Sequence, residues 1–333
     1  MEATIMKQQP LLEVRNLRTY FYTRKGIVKA VDGVDFTVNR GEVLGIVGES
    51  GSGKSIASLS ILRLLSTNAK IEPGSLILLD GKNLAELPNR EMCRVRGTDI
   101  AMIFQDPMTS LNPVMTIGKQ LAEAATAHQH LSGADARTKA LDMLRRVEIP
   151  SPEARLKEYP HQLSGGMKQR VMIAMALIRK PRLLIADEPT TALDVTIQAQ
   201  ILELMRRLRE ETGTAIILIT HDMGVVASIA DRILVMYAGQ IQEAAATMEL
   251  FASPMHPYTK GLLQSIPRLD RKDERLFTIE GAVLDQYNLP EGCRFAPRCP
   301  YARAKCQRLA PPLYQKGTRQ IKCWLYEKES EKP

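Results

Sequence analysis

The segment GESGSGKS, at Gly48–Ser55, has the residue types and the spacing of a loop that binds phosphate groups. Its glycines allow consecutive backbone N–H groups to point at phosphate oxygens without a clash from Cβ atoms. A helix that starts at the end of such a loop adds the positive end of its dipole. Lys54 is then placed to reach the β- and γ-phosphates of a nucleotide, and the Ser55 hydroxyl is placed to bind Mg²⁺.

Strands must position this loop and three further sets of polar residues. The loop follows the apolar run at 43–47, Gln105 follows the run at 100–104, and His221 follows the run at 215–219. Asp187 and Glu188 come directly after a fourth apolar run. Because ligands of open parallel sheets lie at the carboxyl ends of the strands, we expect these residues at one edge of a sheet.

The segment LSGGMKQ at 163–169 resembles the signature loop of ATP-binding-cassette (ABC) ATPases, and the resemblance extends over about residues 12–270. Other segments resemble the remaining motifs of that family in the expected order. These are Gln105 for the Q-loop, Asp187 and Glu188 for Walker B and the catalytic glutamate, Ala192, Leu193 and Asp194 for the D-loop, and His221 for the switch histidine.

The resemblance implies a role for each residue in ATP hydrolysis. Lys54, Glu188 and His221 are the expected catalytic residues: Lys54 neutralises phosphate charge, Glu188 acts as general base on the attacking water, and His221 contacts the γ-phosphate. The expected Mg²⁺ ligands, direct or through water, are Ser55, Gln105 and Asp187. The expected nucleotide-binding residues are Phe21, Gly48, Glu49, Ser50, Gly51, Ser52, Gly53, Lys54, Ser55, Ile56, Gln105, Ser164, Gly165, Gly166, Gln169 and Asp194.

The adenine-stacking residue and a second phosphate-binding site need separate comment. Phe21 resembles the aromatic residue that stacks on adenine, but Tyr20 and Tyr22 leave that position open by one residue. Ser164 and the glycine amides after it resemble a second anion-binding helix N-terminus. In ABC proteins this second site binds the γ-phosphate held by the opposing subunit, so this chain would supply half of each ATP site.

The distribution of charge along the chain argues against nucleic-acid binding. The chain has 333 residues and a net charge of +8. Residues 293–333 contain ten Lys and Arg against three Glu, so the rest of the chain is almost neutral. A nucleic-acid groove needs a basic stripe, which this distribution does not supply. No apolar run approaches the ~20 residues of a membrane-spanning helix, and residues 1–12 lack a signal-peptide core, so we expect a cytoplasmic location.

The pattern predicts an α/β fold, and the resemblance implies a P-loop NTPase of ABC-cassette type, with a RecA-like core and antiparallel β and helical subdomains. Short strands are expected over 12–47, with turns at Lys25-Gly26, Asp32-Gly33 and Arg40-Gly41. Helices are predicted at Ser55–Leu65, through most of 106–179, and at Thr196–Thr212 up to Gly213. Beyond Glu243 proline increases and helical periodicity weakens. We therefore predict an ATPase domain at 12–245, with its helical subdomain at about 106–179, and a small cysteine-containing extension at 246–333.

Three further features narrow the resemblance to the ATP-binding subunits of bacterial oligopeptide/dipeptide permeases, a group that includes nickel importers. They are FQDPMTSLNP at 104–113, HPYT at 256–259 and the cysteines around PRCP at 297–300. The resemblance implies an ATPase that drives import of peptides, or alternatively of nickel or another small solute. It also implies a homologous second ATPase, two membrane permeases that dock on the segment after Gln105, an extracytoplasmic substrate-binding protein, and a peripheral position on the cytoplasmic face of the membrane.

The tail cysteines Cys293, Cys299, Cys306 and Cys323 have the spacing C-x₅-C-x₆-C-x₁₆-C, unlike common zinc modules. Disulfides are not expected in a reducing cytosol. The family resemblance implies a 4Fe-4S cluster, for which four thiolates are a suitable ligand set. Zn²⁺ and simple reduced cysteines remain alternatives. The flanking Arg294, Arg298, Lys305 and Lys322 are expected to offset the charge of the cluster, and Cys93 is expected to act as a small apolar residue.

Two other classes of ABC protein remain as alternatives to an importer subunit. A soluble ABC ATPase of DNA repair or translation would carry long coiled coils or two cassettes, and this sequence has one cassette and no heptad run. A purely regulatory nucleotide-binding subunit would not need the intact Glu188 and His221. The sequence therefore favours an ATP-hydrolysing subunit.

Overall fold

The computed structural model describes residues 9–105, 110–127, 131–191, 193–266, 277–282 and 284–327. The chain divides into two compact units. The first unit comprises 1–39, 43–85 and 220–333, and the second comprises 40–42 and 86–219, each within its described residues. In the described part of the chain, no helix has the length and apolar character to cross a membrane.

The described residues form the following strands and α-helices. The strands are β1 (Leu12–Thr23), β2 (Gly26–Val38), β3 (Val43–Val47), β4 (Ala69–Ile71), β5 (Leu76–Leu79), β6 (Lys82–Asn83), β7 (Ile100–Ile103), β8 (Leu183–Asp187), β9 (Ala215–Thr220), β10 (Arg232–Tyr237), β11 (Gln240–Ala246), β12 (Tyr314–Lys316) and β13 (Arg319–Ile321). The helices are α1 (Lys54–Ile61), α2 (Asn89–Thr98), α3 (Ile117–Thr126), α4 (Gly133–Arg146), α5 (Pro152–Arg155), α6 (Gly165–Leu177), α7 (Val195–Thr212), α8 (Met223–Ile229), α9 (Thr247–Ala252), α10 (Pro257–Gln264) and α11 (Ala304–Arg308).

The first unit contains an antiparallel sheet built on two long strands, β1 and β2. They form a hairpin in which Thr23 pairs with Gly26, and β4 and β5 pair with β1. The predicted turn at Lys25-Gly26 is confirmed. The turn predicted at Asp32-Gly33 is wrong, because both residues lie inside β2, where β-bulges in the pairing with β1 accommodate the positive φ of Gly33.

A second group of strands in the first unit positions the phosphate loop. β3 pairs in parallel with β10, and β11 pairs antiparallel with both β10 and β13. Every residue of β3 is buried, as its apolar sequence predicts for a strand with both faces covered. The loop therefore starts from a fixed strand and ends at α1.

The second unit places β8 between β7 and β9, all parallel. α7 begins one residue before its predicted start, because the Asp194 side chain accepts a hydrogen bond from the Ile197 backbone N–H at 2.9 Å. Gly213 ends α7 with a left-handed φ of 68°. The helical character predicted for 106–179 is found in α3 to α6, while residues 106–109 and 128–130 lie outside the described residues.

Residues after Ala246 do not lose helical structure as fully as predicted, because α9 and α10 follow β11 directly. Further along, β13 pairs with β11 through Glu243 with Ile321 and Ala244 with Gln320. The described residues from 247 to 327, here called the C-terminal segment, thus add β12 and β13 to the group of strands that includes β3. The division of the chain at residue 245 remains a prediction.

Glu243 fixes the start of α10 from within β11. It is fully buried, and its two carboxylate oxygens accept the backbone N–H groups of Met255 at 2.9 Å and His256 at 2.8 Å. His256 then caps α10, since its Nδ1 accepts the Tyr258 N–H at 3.0 Å. Burial lowers the pKa of His256 to about 3, which keeps this acceptor neutral.

We expect Glu243→Ala to lower the free energy of unfolding by about 3 kcal/mol, because two buried N–H groups lose their acceptors. Urea denaturation followed by circular dichroism would measure the loss. Glu243→Gln is the matched control: its single carbonyl oxygen can still accept one of the two hydrogen bonds, so its loss should be about half as large. Equal stability of the Ala variant and the wild type would contradict this role.

Candidate functional site

The phosphate loop is closed around the side chain of Lys54. The Lys54 ammonium donates hydrogen bonds to the carbonyl oxygens of Gly48 at 2.7 Å and Glu49 at 3.0 Å, and the residue is only 5% exposed. Ser52 is also buried, and its carbonyl oxygen accepts the Gly239 N–H at 2.8 Å. Ser55 and Ile56 are partly buried in the first turn of α1, whereas Gly51 at the tip of the loop is exposed, as is Ser50. The loop thus presents its tip to solvent and keeps its lysine inside.

Gly53 is required for two separate reasons. Its φ of 101° is left-handed, a conformation that residues with a Cβ rarely adopt. A Cβ atom at this position would also lie 2.2 Å from the carbonyl oxygen of Ala30. Gly51 has a left-handed φ of 77° as well, but a Cβ there would meet no atom within 4 Å. The backbone therefore passes closer to its neighbours at Gly53 than at Gly51.

Residues from the C-terminal segment contact the loop directly. The Tyr258 hydroxyl accepts the Glu49 N–H at 2.9 Å, and the Gln286 amide donates to the Gly51 carbonyl at 3.0 Å. The Arg298 guanidinium donates to both carboxylate oxygens of Glu49, at 2.6 Å and 3.0 Å. Sequence reasoning missed these three residues as loop contacts, although it marked HPYT and PRCP as distinctive segments.

The aromatic residues of β1 differ in their contacts. The Tyr20 hydroxyl donates to Asp32 at 2.5 Å and the Tyr22 hydroxyl donates to Glu72 at 2.8 Å. Desolvation by burial, followed by the hydrogen bond to Asp32, raises the pKa of Tyr20 to about 12. Phe21 lies between them and is partly exposed. The assignment of Phe21 to adenine stacking stays a prediction.

In the second unit, Glu188 lies beyond the end of β8 in a strained conformation. Its φ of 47° is left-handed, which is uncommon for a residue other than glycine and costs of order 1–3 kcal/mol. Its Oε2 accepts hydrogen bonds from the Gln105 amide at 3.1 Å and the Thr191 hydroxyl at 2.9 Å. The structure therefore brings Gln105 to Glu188, and it adds Thr191, which sequence reasoning did not identify. Asp187, the last residue of β8, directly precedes Glu188 and is 5% exposed.

The segment LSGGMKQ forms the start of α6. Ser164 is the exposed N-cap of this helix, and its hydroxyl accepts the Met167 N–H at 3.3 Å. Gly165 is exposed, and a Cβ on Gly166 would lie 2.9 Å from the Ile197 side chain. Gln169 is 2% exposed. The exposed N-terminus is the kind of helix end that attracts an anion.

The remaining predicted site residues lie at the ends of other elements. His221 follows β9 and is exposed at the start of a short loop before α8. Asp194 is exposed and caps α7. Ala192 of the predicted D-loop lies outside the described residues, as do residues 106–109 of the predicted permease-docking segment.

The four tail cysteines, Cys293, Cys299, Cys306 and Cys323, are free thiols that line one small cavity of about 20 Å³. Burial raises the pKa of three of them, to about 11 for Cys323. In the described residues, no three Cys, His, Asp or Glu side chains are grouped closely enough to hold a metal ion. The donor type suits a metal, but these side chains would have to move closer together to form the predicted iron–sulfur cluster.

Three of the four basic residues next to the cysteines are paired with carboxylates, and their expected role in offsetting the charge of a cluster stays a prediction. Arg294 and Arg298 are held by Asp32 and Glu49, far along the sequence, and Lys305 is held by Glu327. Their charges are therefore balanced by carboxylates. Cys93, expected as a small apolar residue, is exposed on α2.

We expect Gly53→Ala to weaken nucleotide binding at least about tenfold, because its Cβ would push the loop away from Ala30 and strain the backbone. Gly51→Ala is the matched control, with a similar left-handed φ but open space, and should weaken binding only slightly. Titration with a fluorescent ATP analogue measures both variants. Similar affinities for the two variants would show that the contact with Ala30 does not shape the loop.

Models of two protein families match the chain. The model described as ABC transporter matches residues 31–191, and the model described as Oligopeptide/dipeptide transporter, C-terminal region, matches residues 242–306. The second match includes Tyr258 and Arg298, which contact the phosphate loop. The first match includes the loop itself, the signature segment and Glu188.

Curated relatives match nearly the whole chain. It is 54% identical over 321 residues to the oligopeptide transport ATP-binding protein AppD of Bacillus subtilis, a match that covers 96% of this chain and 98% of the relative. It is 51% identical over 325 residues to the dipeptide transport ATP-binding protein DppD of the same bacterium, covering 97% of each. The oligopeptide transport ATP-binding protein OppD of Haemophilus influenzae is 51% identical, and the match covers 95% of this chain and 97% of the relative.

Solved structures confirm the predicted ABC-cassette fold. A dimeric, post-hydrolysis structure of the cassette MJ0796 bound to ADP and Pi has a TM-score of 0.64 and 28% identity, and the match covers 71% of this chain and 98% of that one. The structure of cbiO1 from Clostridium perfringens, part of the complex cbiONQ, has a TM-score of 0.64 and 29% identity, covering 74% and 92%. Because it shares this fold and is more than half identical to the curated relatives over nearly its whole length, the chain belongs to the ABC transporter family, among the ATP-binding subunits of the oligopeptide and dipeptide group.

Proposed function

We propose that this chain hydrolyses ATP and couples that hydrolysis to the import of oligopeptides or dipeptides. The observation that carries the proposal is the match of residues 242–306 to the C-terminal region of peptide transporters, on the same chain as an ABC cassette. The named relatives are ATP-binding proteins of oligopeptide or dipeptide transport, which favours peptides over the nickel alternative.

The proposed chemistry at the phosphate end uses the loop as a cradle for the β- and γ-phosphates. Lys54 now donates to the Gly48 and Glu49 carbonyls, and phosphate oxygens would replace these acceptors as ATP binds. Ser55, Gln105 and Asp187 are proposed to bind Mg²⁺ directly or through water. Phosphoryl transfer requires little covalent chemistry from the protein, so placing charge in this way supplies much of the catalysis.

Glu188 is proposed as the general base that orients the attacking water. The hydrogen bonds from Gln105 and Thr191 to Oε2 fix the orientation of the carboxylate, which would accept a proton from the attacking water. His221 is proposed to contact the γ-phosphate from its exposed position after β9. These roles support turnover and make a purely regulatory subunit a poorer fit.

The second half of each ATP site is proposed to come from a homologous ATPase subunit. The exposed helix start at Ser164 has the free surface that such an arrangement needs. Because ATP would then be held between two subunits, its hydrolysis would separate them and drive movement in the attached permeases. We further propose two permease partners, an extracytoplasmic substrate-binding protein, and a peripheral position on the cytoplasmic face of the membrane.

Glu188→Gln should abolish hydrolysis while keeping ATP binding, because the amide keeps the shape of the side chain and removes the base. We expect the rate to fall by at least about a hundredfold. The variant should also hold ATP-bound subunits together as a stable dimer. Phosphate release and size-exclusion chromatography measure the two effects, with Lys54→Ala as a control that should lose binding instead. Hydrolysis by the Glu188→Gln variant at the wild-type rate would show that Glu188 is not the general base.

The proposed transport function is tested by ATP hydrolysis in membranes that contain the chain, its partner ATPase and the co-purifying permeases. Short peptides presented with the binding protein should stimulate hydrolysis, and Ni²⁺ presented in the same way should not. Stimulation by Ni²⁺ alone would replace the peptide proposal with the nickel alternative. The Glu188→Gln complex is the background control for both measurements.

We also propose that the four-cysteine cavity binds metal, as a 4Fe-4S cluster held by Cys293, Cys299, Cys306 and Cys323. Support comes from the four free thiols that line a single cavity, since four thiolates are the usual ligands of such clusters. Metal binding would require the thiols to lose their protons and move closer together. The same donor set would also accept Zn²⁺.

Analysis of anaerobically purified chain for iron, sulfide and zinc tests this proposal. A brown protein with equal iron and sulfide, both lost in Cys323→Ser, is expected. Cys93→Ser, which changes an exposed cysteine outside the cavity, is the matched control and should keep the metal. Stoichiometric zinc in a colourless protein would show that the cysteines bind zinc instead of an iron–sulfur cluster. Absence of both metals would overturn the proposal.

A further inference from the structure

We propose that Arg298 is a positioning residue for nucleotide binding, which holds the phosphate loop in its binding conformation through Glu49. The inference rests on the proposed function, because it concerns the loop that would bind ATP. It means that a residue of the C-terminal segment helps to hold the phosphate loop at the proposed ATP site. Both residues lie in the first unit, and they are separated by 249 positions in the sequence.

Arg298 is itself held firmly in place. Its side chain is only 4% exposed, and it donates to the carbonyl oxygens of Ile279 at 3.2 Å and Glu280 at 3.1 Å. The guanidinium also lies 5.8 Å from the ring centre of Tyr237, within the range of a cation–π interaction. The hydrogen bond to Glu49 is the main cause that raises the pKa of Arg298, so it stays charged. A fixed, permanently charged guanidinium can therefore act as an anchor for Glu49.

Glu49 is held at three points. Tyr258 accepts its N–H, Arg298 binds its carboxylate in a bidentate pair, and Lys54 donates to its carbonyl oxygen. Two of these partners belong to the C-terminal segment, and the third is the lysine proposed to reach the phosphates. A shift of Glu49 would therefore also move an acceptor of Lys54. Holding the loop before the ligand arrives reduces the entropy lost on binding.

Charge gives a second reason for the pair. A carboxylate in a phosphate-binding loop opposes a polyanionic ligand, because like charges repel strongly where water is partly excluded. The Arg298 guanidinium neutralises that charge in a bidentate geometry that lysine cannot reproduce. The arrangement predicts that loss of Arg298 alone is worse for nucleotide binding than loss of both members of the pair.

The experiment measures the affinity of the purified chain for a fluorescent ATP analogue and the KM and kcat of ATP hydrolysis by its complex. Arg298→Met should raise the dissociation constant and KM by about tenfold and change kcat little, because the pair acts on binding. Glu49→Gln combined with Arg298→Met should recover only part of the affinity, because it removes the unpaired carboxylate but does not restore the anchor of the loop. The dissociation constant of Arg298→Lys should fall between those of the wild type and Arg298→Met. Higher salt should reduce the difference in affinity between the wild type and Arg298→Met.

Arg294→Met is the matched control. Arg294 is another arginine of the C-terminal segment that is buried and paired with a carboxylate, that of Asp32, and no phosphate-loop residue is in that pair. Its loss should lower stability without changing nucleotide affinity. Unchanged affinity in Arg298→Met, or equal affinity losses in the two Met variants, would overturn the inference while leaving the proposed function intact. Absence of ATP binding by the wild type would overturn both.

Discussion

The phosphate loop contains a charged lysine that is buried among backbone carbonyl groups, and its glycines adopt left-handed conformations. Glycine loses more conformational freedom on folding than any other residue, so such a loop does not hold its shape alone. β3 fixes its start and α1 fixes its end. Close packing of Gly53 on Ala30, the bond from Gly239 to Ser52, and the contacts of Glu49 restrain the part between them. The organisation of the first unit follows from this need for external support.

The C-terminal segment takes part in that support. It adds β12 and β13 beyond β11, and Glu243 of β11 anchors the turn that begins α10. α10 carries Tyr258, and the cysteine-containing region carries Arg298 next to Cys299. The residues that line the thiol cavity and those that hold the phosphate loop therefore alternate along one short segment of chain. This places a region typical of peptide transporters in direct contact with a motif common to many nucleotide-binding proteins.

The sequence predicts the elements that local rules control. β3 and the boundaries of α7 follow from an apolar run, a capping aspartate and a terminal glycine, and the structure has them within one residue. The sequence assigns Gln105 and Glu188 to the same ATP site, and in the structure the Gln105 Nε2 donates a hydrogen bond to the Glu188 Oε2 at 3.1 Å. The turn prediction at Asp32-Gly33 fails because β-bulges in a long hairpin need the same residue types as a turn. The sequence also does not reveal the partners of Arg294 and Arg298, because the carboxylates of Asp32 and Glu49 lie more than two hundred positions away.

The sequence by itself determined the chemistry: which residues can cradle phosphate, activate water and supply thiols, since these depend on residue type and short spacing. The tertiary structure decided which side chains constrain them. Only chain folding brings Arg298 and Tyr258 onto Glu49, sets Thr191 beside Glu188, and gathers four separated cysteines around one cavity. Such contacts depend on the path of the backbone over long separations, and no local pattern of residues records that path.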